Sequence, residues 1–120
     1  MKKATVKRNG ETVIVNADVT TSFWERFRGL MFAQSIPDNY GLLIRPCNQI
    51  HMLNMKFPLD VIYISKDGTV ADIDEDIKPW KIGRTVKDSV AVLEVNSGTC
   101  ARLCITRGDT IEFTEISEER

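Results

Sequence analysis

The residue types best suited to chemistry lie close together in the middle of the chain, between His51 and Asp60. His51 is the single histidine, and imidazole is the side chain that titrates near neutrality without perturbation. Met55 and Phe57 lie between these two residues and are suited to the apolar wall of a pocket. The segment therefore predicts a small-ligand pocket in which His51 and Asp60 supply polar contacts. The alternative is structural: Asp60 pins a turn, His51 hydrogen-bonds a loop carbonyl, and the methionines fill the core.

Two residues outside this segment are further candidates for the same pocket. Arg28 lies near the end of a predicted helix, where its guanidinium could clamp an anionic ligand, cap the helix or pair with a carboxylate. Trp80 follows Pro79 in a polar connection. There it could contribute to a recognition surface, act as a lid over the pocket, or fill the core. The sequence leaves these alternatives open for Arg28, and for Trp80 it favours filling the core.

The cysteines indicate a metal site only by their spacing. Cys47 and His51 are four residues apart, as are Cys100 and Cys104, and four such ligands could form a tetrahedral zinc site. An extended strand would hold Cys100 and Cys104 ~13 Å apart, too far for one ion. Cys47 as a nucleophile lacks an identified base and an orienting group. We therefore expect no metal and no cofactor.

Composition and charge exclude several classes of function. A chain of 120 residues with 42% hydrophobic and 28% charged residues predicts one globular domain over residues 1–120. The net charge of −1, without a basic stripe, argues against a nucleic-acid partner. Since there is neither a run of ~20 apolar residues nor the apolar core of a secretory signal, we expect no membrane partner. The odd number of cysteines fits a cytoplasmic protein whose thiols stay reduced.

The elements that must position these residues are mainly β-strands. Asn9-Gly10 separates two β-prone runs and predicts a tight hairpin. Further strands are predicted down to residue 114, including an extended segment over residues 99–105. About seven short strands and one helix predict an α+β fold. We expect its sheet to be mainly antiparallel and curled into a compact barrel.

The single convincing helix is predicted near residues 20–31. Ser22 and Glu25 have the spacing of a capping box at its start. Phe23, Phe27 and Leu30 recur at helical spacing and form one apolar face.

Four segments, in the same order along the chain, resemble the motifs of the DUF192 family (also called UPF0127). They are RGLM at 28–31, GLLI at 41–44, HMLNMKFPLDV at 51–61 and VLEVNSG at 92–98. Asn96-Ser97 departs from the Pro-Ala that is usual in the last motif, and Leu53-Asn54 departs from the common residues of the third. The resemblance implies a compact, mainly β fold with a short helix. It implies no activity, because the function of the family is not established.

Three functions are compatible with these observations. The first is a non-enzymatic binding module with a small-ligand pocket around Arg28, His51, Met55 and Asp60. The second is an enzyme for a small substrate with His51 and Asp60 as acid–base partners, which requires both side chains to converge in one cleft. The third is an accessory domain that adds a partner's strand to an exposed sheet edge. We expect a binding or accessory role; the small molecule or protein partner and the oligomeric state are open at this stage.

Overall fold

A computed structural model describes residues 1–116 as seven strands and two short helices. In chain order these are β1 (Lys2–Arg8), β2 (Glu11–Val19), α1 (Phe23–Arg28), β3 (Tyr40–Ile44), β4 (Leu59–Ser65), β5 (Val70–Ile77), β6 (Ser89–Asn96), α2 (Thr99–Leu103) and β7 (Ile111–Glu115). Within this described range, no helix is long and apolar enough to cross a membrane.

All seven strands belong to one sheet, in the order β5-β4-β6-β3-β2-β1-β7. Neighbouring strands are antiparallel except for the parallel pair β2–β3. The two outer strands approach each other at one end, where Thr69 forms a bridge with Thr110 and the Val70 N–H donates to the Asp109 carbonyl over 2.8 Å. The sheet is therefore curled into a half-barrel, which confirms the predicted mainly antiparallel α+β fold.

The turn between β1 and β2 forms as its sequence predicts. Asn9 and Gly10 both have positive φ angles, 52° and 86°, as a type I′ hairpin turn requires. The Asn9 side chain also accepts a hydrogen bond from the Thr110 N–H over 2.8 Å. This short segment thus closes the first hairpin and ties it to the start of β7.

The sheet carries a separate hydrophobic core on each face. The first core draws residues from all seven strands and fills the interior of the half-barrel. The second core lies on the opposite face over β3, β4 and β6 and is covered by Leu30 and by loop residues such as Ile50, Met52 and Met55. β4 is buried on both faces, because alternate side chains enter alternate cores. The candidate site belongs to the second core.

α1 begins as predicted and then exposes the face that its sequence makes apolar. The Ser22 hydroxyl accepts from the Glu25 N–H, and the Glu25 carboxylate accepts from the Thr21 N–H. None of its six residues is buried, and Phe23 is 74% exposed. Since the helix is so short, only the residues that follow it, beginning with Leu30, pack against the sheet. The aromatic residues of α1 therefore form a surface and not a core.

The segment after β6 is helical, so the extended segment predicted over residues 99–105 is wrong. Gly98 precedes α2 with a φ of 93°. Its N–H and that of Cys100 both donate to Asp60 Oδ2, over 3.1 and 3.0 Å. A carboxylate at the start of a helix satisfies N–H groups that have no partner within the helix. The residue that stabilises α2 is thus far away in sequence, on β4, where local pattern does not reveal it.

Candidate functional site

A cavity of about 40 Å³ lies between α1, the loop of residues 45–58 that joins β3 to β4, and β6. A buried water needs roughly 10–15 Å³ measured in this way, so the cavity holds about three water-sized groups. Its lining combines apolar side chains with several polar ones. The polar and sulfur-containing members are Arg26, Arg28, Cys47, Gln49, His51, Met55 and Glu94.

Glu94 is the most unusual group of this lining. It lies in the middle of β6, opposite Leu42 on one side and Val61 on the other. Its side chain is buried, and no donor within residues 1–116 reaches its Oε1 atom. Burial raises the pKa of the Glu94 carboxyl from 4.5 to about 8. The raised pKa favours the protonated, neutral form of this acid near neutral pH.

Gly29 allows the end of α1 to lie against this carboxyl. Its φ of +50° is a backbone conformation that favours glycine. A Cβ at this position would lie 3.4 Å from Glu94 Oε1 and 3.7 Å from Ile44 Cδ1. The glycine thus serves both the turn out of the helix and the space beside the acid.

Two arginines contribute to the same cavity from α1. Within residues 1–116, neither Arg26 nor Arg28 forms an ion pair with a carboxylate. The Arg26 guanidinium lies 5.7 Å from the centre of the Phe23 ring, within the range of a cation–π contact. The cavity therefore has cationic neighbours and a neutral acid.

His51 lines the cavity, but both of its ring nitrogens are engaged by the protein. Nε2 lies 2.9 Å from the Phe27 carbonyl oxygen, and Nδ1 lies 3.3 Å from the Leu53 backbone nitrogen. A carbonyl can only accept and an amide N–H can only donate, so Nε2 carries the proton and Nδ1 accepts. His51 in this tautomer is neutral and ties the end of α1 to the loop.

The other residues of the central motif lie in different places. Met55 is buried and lines the cavity. Phe57 is half-buried against the second core and does not line it. Trp80 is 62% exposed and therefore does not fill the core, and its backbone N–H donates to the Met52 carbonyl over 2.7 Å. The structure thus brings Arg28, His51 and Met55 together and leaves Phe57 and Trp80 outside.

Asp60 lies on the opposite face of the sheet from the cavity. Its Oδ2 atom accepts the two N–H groups at the start of α2, and its Oδ1 atom accepts the Asp76 N–H over 2.9 Å. Cys100, one of these donors, belongs to the first core. The side chain is fully buried and holds α2 and β5 in place. His51 and Asp60 therefore do not converge in one cleft.

The cysteines are likewise separated. Cys47 lines the cavity and donates its thiol hydrogen to the Gln49 carbonyl, and burial raises its pKa. Cys100 is buried in the first core, while Cys104 is exposed. In the part of the chain that the structure describes, no three His, Cys, Asp or Glu residues are grouped to hold a metal ion. The set Cys47, His51, Cys100 and Cys104 is thus not assembled into a site.

Exposed apolar side chains surround the loop that carries His51. The Phe27 ring lies 5.2 Å from the His51 ring and 6.0 Å from the Trp24 ring, measured between centroids. Ile82 pairs with His51 through a backbone bridge. The side chains of Trp24, Phe27, Ile82 and Trp80 are exposed. We call Trp24, Phe27, Trp80 and Ile82 the aromatic surface.

Comparison with known proteins identifies the family. The profile of the family described as "Uncharacterized ACR" (DUF192) matches residues 4–113. The chain belongs to the DUF192 family. The resemblance of the four sequence motifs is thereby confirmed, and the family is one without an established function.

Two solved structures share the fold of this DUF192 chain. One, a proposed transcription regulator from Sinorhizobium meliloti 1021, has 27% identity and a TM-score of 0.81, over 93% of this chain and 95% of the other. The second, a protein of unknown function from Novosphingobium aromaticivorans DSM 12444, has 28% identity and a TM-score of 0.78, over 92% and 83%. No curated protein matches the chain.

Sequence reasoning did not select Glu94 as a candidate in this DUF192 chain. The signal is present nonetheless, because Glu94 interrupts the apolar run from Val90 to Val95. A charged residue within a strand that reads as buried on both faces is rarely buried unless it is paired or functional. A search for acids inside apolar strands would have found it.

Proposed function

We propose that this protein is a non-enzymatic binding module whose ligand enters the cavity between α1, the 45–58 loop and β6. The buried carboxyl of Glu94, whose Oε1 atom has no hydrogen-bond partner, carries this proposal. Among residues 1–116, only Glu94 Oε1 and Thr20 Oγ1 are buried side-chain atoms without a hydrogen-bond partner. A buried polar group without a partner destabilises the fold by about 1–3 kcal/mol. Folding alone does not require this loss of stability. A ligand that hydrogen-bonds Glu94 Oε1 would explain why an acid is present at this position.

The chemistry of the neighbouring side chains favours binding over catalysis. Both His51 nitrogens are occupied, and the raised pKa of Cys47 disfavours the thiolate that a nucleophile needs. An acid–base pair of His51 and Asp60 remains the enzymatic alternative, but it would require both residues to leave their hydrogen bonds and meet in one cleft. Binding requires no such rearrangement.

Docking of a protein partner is a second candidate, favoured by the aromatic surface. Exposed aromatic residues supply a large share of the energy of protein interfaces. Photo-crosslinking residues placed at Trp24 or Trp80 should capture one recurrent partner in living cells. The same residue at Val15, which is 62% exposed on β2, is the control. Equal labelling from all three positions would contradict a specific docking surface.

We further propose that the 120 residues function as one domain in the cytoplasm. The three free thiols support a reducing compartment. Fractionation of cells into cytoplasmic, membrane and exported material should recover the protein in the first fraction. Recovery of most of it elsewhere would contradict this assignment.

The binding function is tested by a fragment screen that follows the methyl resonances of Met55, Ile44 and Ile50 by nuclear magnetic resonance. At least one class of small polar compound should shift these resonances in the wild-type protein and not in Glu94→Leu. Glu112→Leu, a change at an exposed strand position, should retain the shifts. If no compound shifts the cavity methyls, or if Glu94→Leu responds as the wild type does, the proposed site is wrong.

A further inference from the structure

We infer that the group bound in this cavity is a carboxylate, which hydrogen-bonds the buried Glu94 carboxyl and accepts an ionic hydrogen bond from Arg28 or Arg26. This inference rests on the proposed binding function and specifies its ligand chemistry. It follows from three properties of the cavity: its size, its charge and the state of its inner acid.

The size of the cavity fits a small planar group. Its volume of about 40 Å³ corresponds to about three water-sized groups. A carboxylate has three heavy atoms, whereas a phosphate has five and a sugar or an aromatic ring has more. The ligand group that reaches Glu94 must therefore be small, and any larger part of the ligand must lie outside, where the aromatic surface begins.

The charges around the cavity favour an anion. Arg26 and Arg28 supply two cations without ion-pair partners within residues 1–116. The facing groups of the loop are neutral, since His51 has one proton and Cys47 is a thiol whose pKa is raised by burial. An ammonium or guanidinium ligand would have to displace the proton of Glu94 and would then lie beside two arginines.

The facing groups on β2 and β3 do not change this balance. Burial and the hydrogen bond to Asp18 raise the pKa of Tyr40, so the phenol stays neutral. Asp18 accepts the Tyr40 hydroxyl over 2.6 Å and pairs with Lys3 over 2.8 Å. Its charge is therefore compensated locally.

Protonated Glu94 supplies the donor that the inner oxygen of a carboxylate requires. A neutral carboxylic acid in an apolar site can donate a strong hydrogen bond to an anion. The second ligand oxygen then accepts from a guanidinium, which is suited to carboxylate recognition. When Glu94 ionises, its donor is lost and two carboxylates repel each other. Binding should therefore weaken as the pH rises above about 8, where the Glu94 pKa lies.

The experiment titrates sodium acetate, sodium hexanoate, methylguanidinium chloride and acetamide into the wild-type protein at pH 6.5 and 9.5. The cavity methyl resonances report binding. Acetate and hexanoate should bind at pH 6.5 and weaken about 30-fold at pH 9.5, because ionisation removes most of the protonated form. Hexanoate should bind more tightly than acetate, since its chain reaches the aromatic surface.

Glu94→Gln is the matched variant. Glutamine keeps an N–H donor in nearly the same shape and does not ionise, so its affinity for both acids should be the same at the two pH values. Arg28→Met and Arg26→Met, alone and together, should identify the guanidinium that binds the ligand. Arg107→Met, in the exposed turn that precedes β7 and outside the cavity lining, should leave binding unchanged.

The outcomes separate this inference from the binding function itself. Methylguanidinium or acetamide binding without acetate binding would leave the cavity as a ligand site and overturn the carboxylate. The same loss of affinity at pH 9.5 in Glu94→Gln would overturn the role of Glu94. No response to any of the four probes would overturn the carboxylate inference, and the fragment screen would then decide the binding function. A tripeptide with a free carboxyl terminus, compared with its amide and with hexanoate, tells whether the carboxylate belongs to a chain end or to a free acid.

Discussion

The buried Glu94 carboxyl should dominate the dependence of stability on pH between about 4.5 and 8. Its pKa is 4.5 in the unfolded chain and about 8 in the fold. The stabilisation of the fold that depends on a neutral Glu94 is therefore fully present below pH 4.5 and is lost as the pH rises to 8. The unfolding equilibrium constant should increase almost tenfold for each pH unit in this interval. The total corresponds to about 5 kcal/mol, a large part of the 5–15 kcal/mol typical of a small domain.

Glu94→Gln removes this dependence while keeping the size and the polarity of the side chain. The free energy of unfolding is measured by urea denaturation, followed by far-ultraviolet circular dichroism, from pH 4.5 to 9. Over this range, the free energy of unfolding of the variant should rise by about 5 kcal/mol relative to that of the wild type. The exposed-strand variant Glu112→Gln is the control and should follow the wild-type curve.

Other groups with shifted pKa values do not interfere with this comparison. Hydrogen bonds lower the pKa of Glu25 and Asp67 to about 2, so their stabilisation is lost only at acid pH. Burial raises the pKa of Cys100 to about 12, and that group acts only in alkaline solution. Glu25, Asp67 and Cys100 are present in both the wild type and Glu94→Gln. Their contributions to the free energy of unfolding therefore cancel when the two proteins are compared. Parallel stability curves for wild type and Glu94→Gln would refute the reasoning.

Three further substitutions test the other structural assignments. Gly29→Ala should lower the free energy of unfolding, measured by urea denaturation, by about 1–3 kcal/mol, because alanine is strained at the positive φ of this position. The added methyl group should also abolish hexanoate binding. Gly10→Ala is the control, since it has the same backbone penalty with open space around it and should still bind hexanoate. Asp60→Asn should destabilise the protein by about 3 kcal/mol, because the amide keeps only one acceptor oxygen and turns an NH2 donor toward N–H groups that the carboxylate accepts. Hydrogen exchange in that variant should accelerate first in α2; if α2 stays protected, the capping role is wrong. His51→Phe should cost about 2 kcal/mol by leaving a carbonyl and an N–H without their partner, and an unchanged melting temperature would contradict its structural role.

Local patterns were enough to predict the elements whose determinants are close together in sequence. Asn9-Gly10 carries both positive φ angles of its hairpin, and Ser22 with Glu25 begins α1. α2 was missed because its stabilising acceptor, Asp60, lies 38 residues before Gly98. The intrinsic conformational preference of the five residues of α2 is too weak to outweigh such a tertiary contact.

The sequence predicts only part of the candidate site, because the rest also depends on contacts between residues that are far apart in the chain. Arg28, His51 and Met55 were selected by residue type, and the fold brings them to one cavity. Asp60 was selected with them, yet strand alternation directs it to the face that Ile62 shares, away from the site. Which face carries the cavity depends on where α1 packs, and this is a property of the whole fold. Glu94 was missed because its burial depends on the same packing.

The most direct test of the account is the titration of the Glu94 carboxyl by carbon-13 nuclear magnetic resonance, with and without saturating sodium hexanoate. We predict a pKa of about 8 in the free protein. A higher pKa should be found in the complex, since the carboxylate binds the protonated form. A pKa near 4.5 in the free protein, or a fall in the pKa when hexanoate binds, would contradict a neutral buried acid that receives a carboxylate.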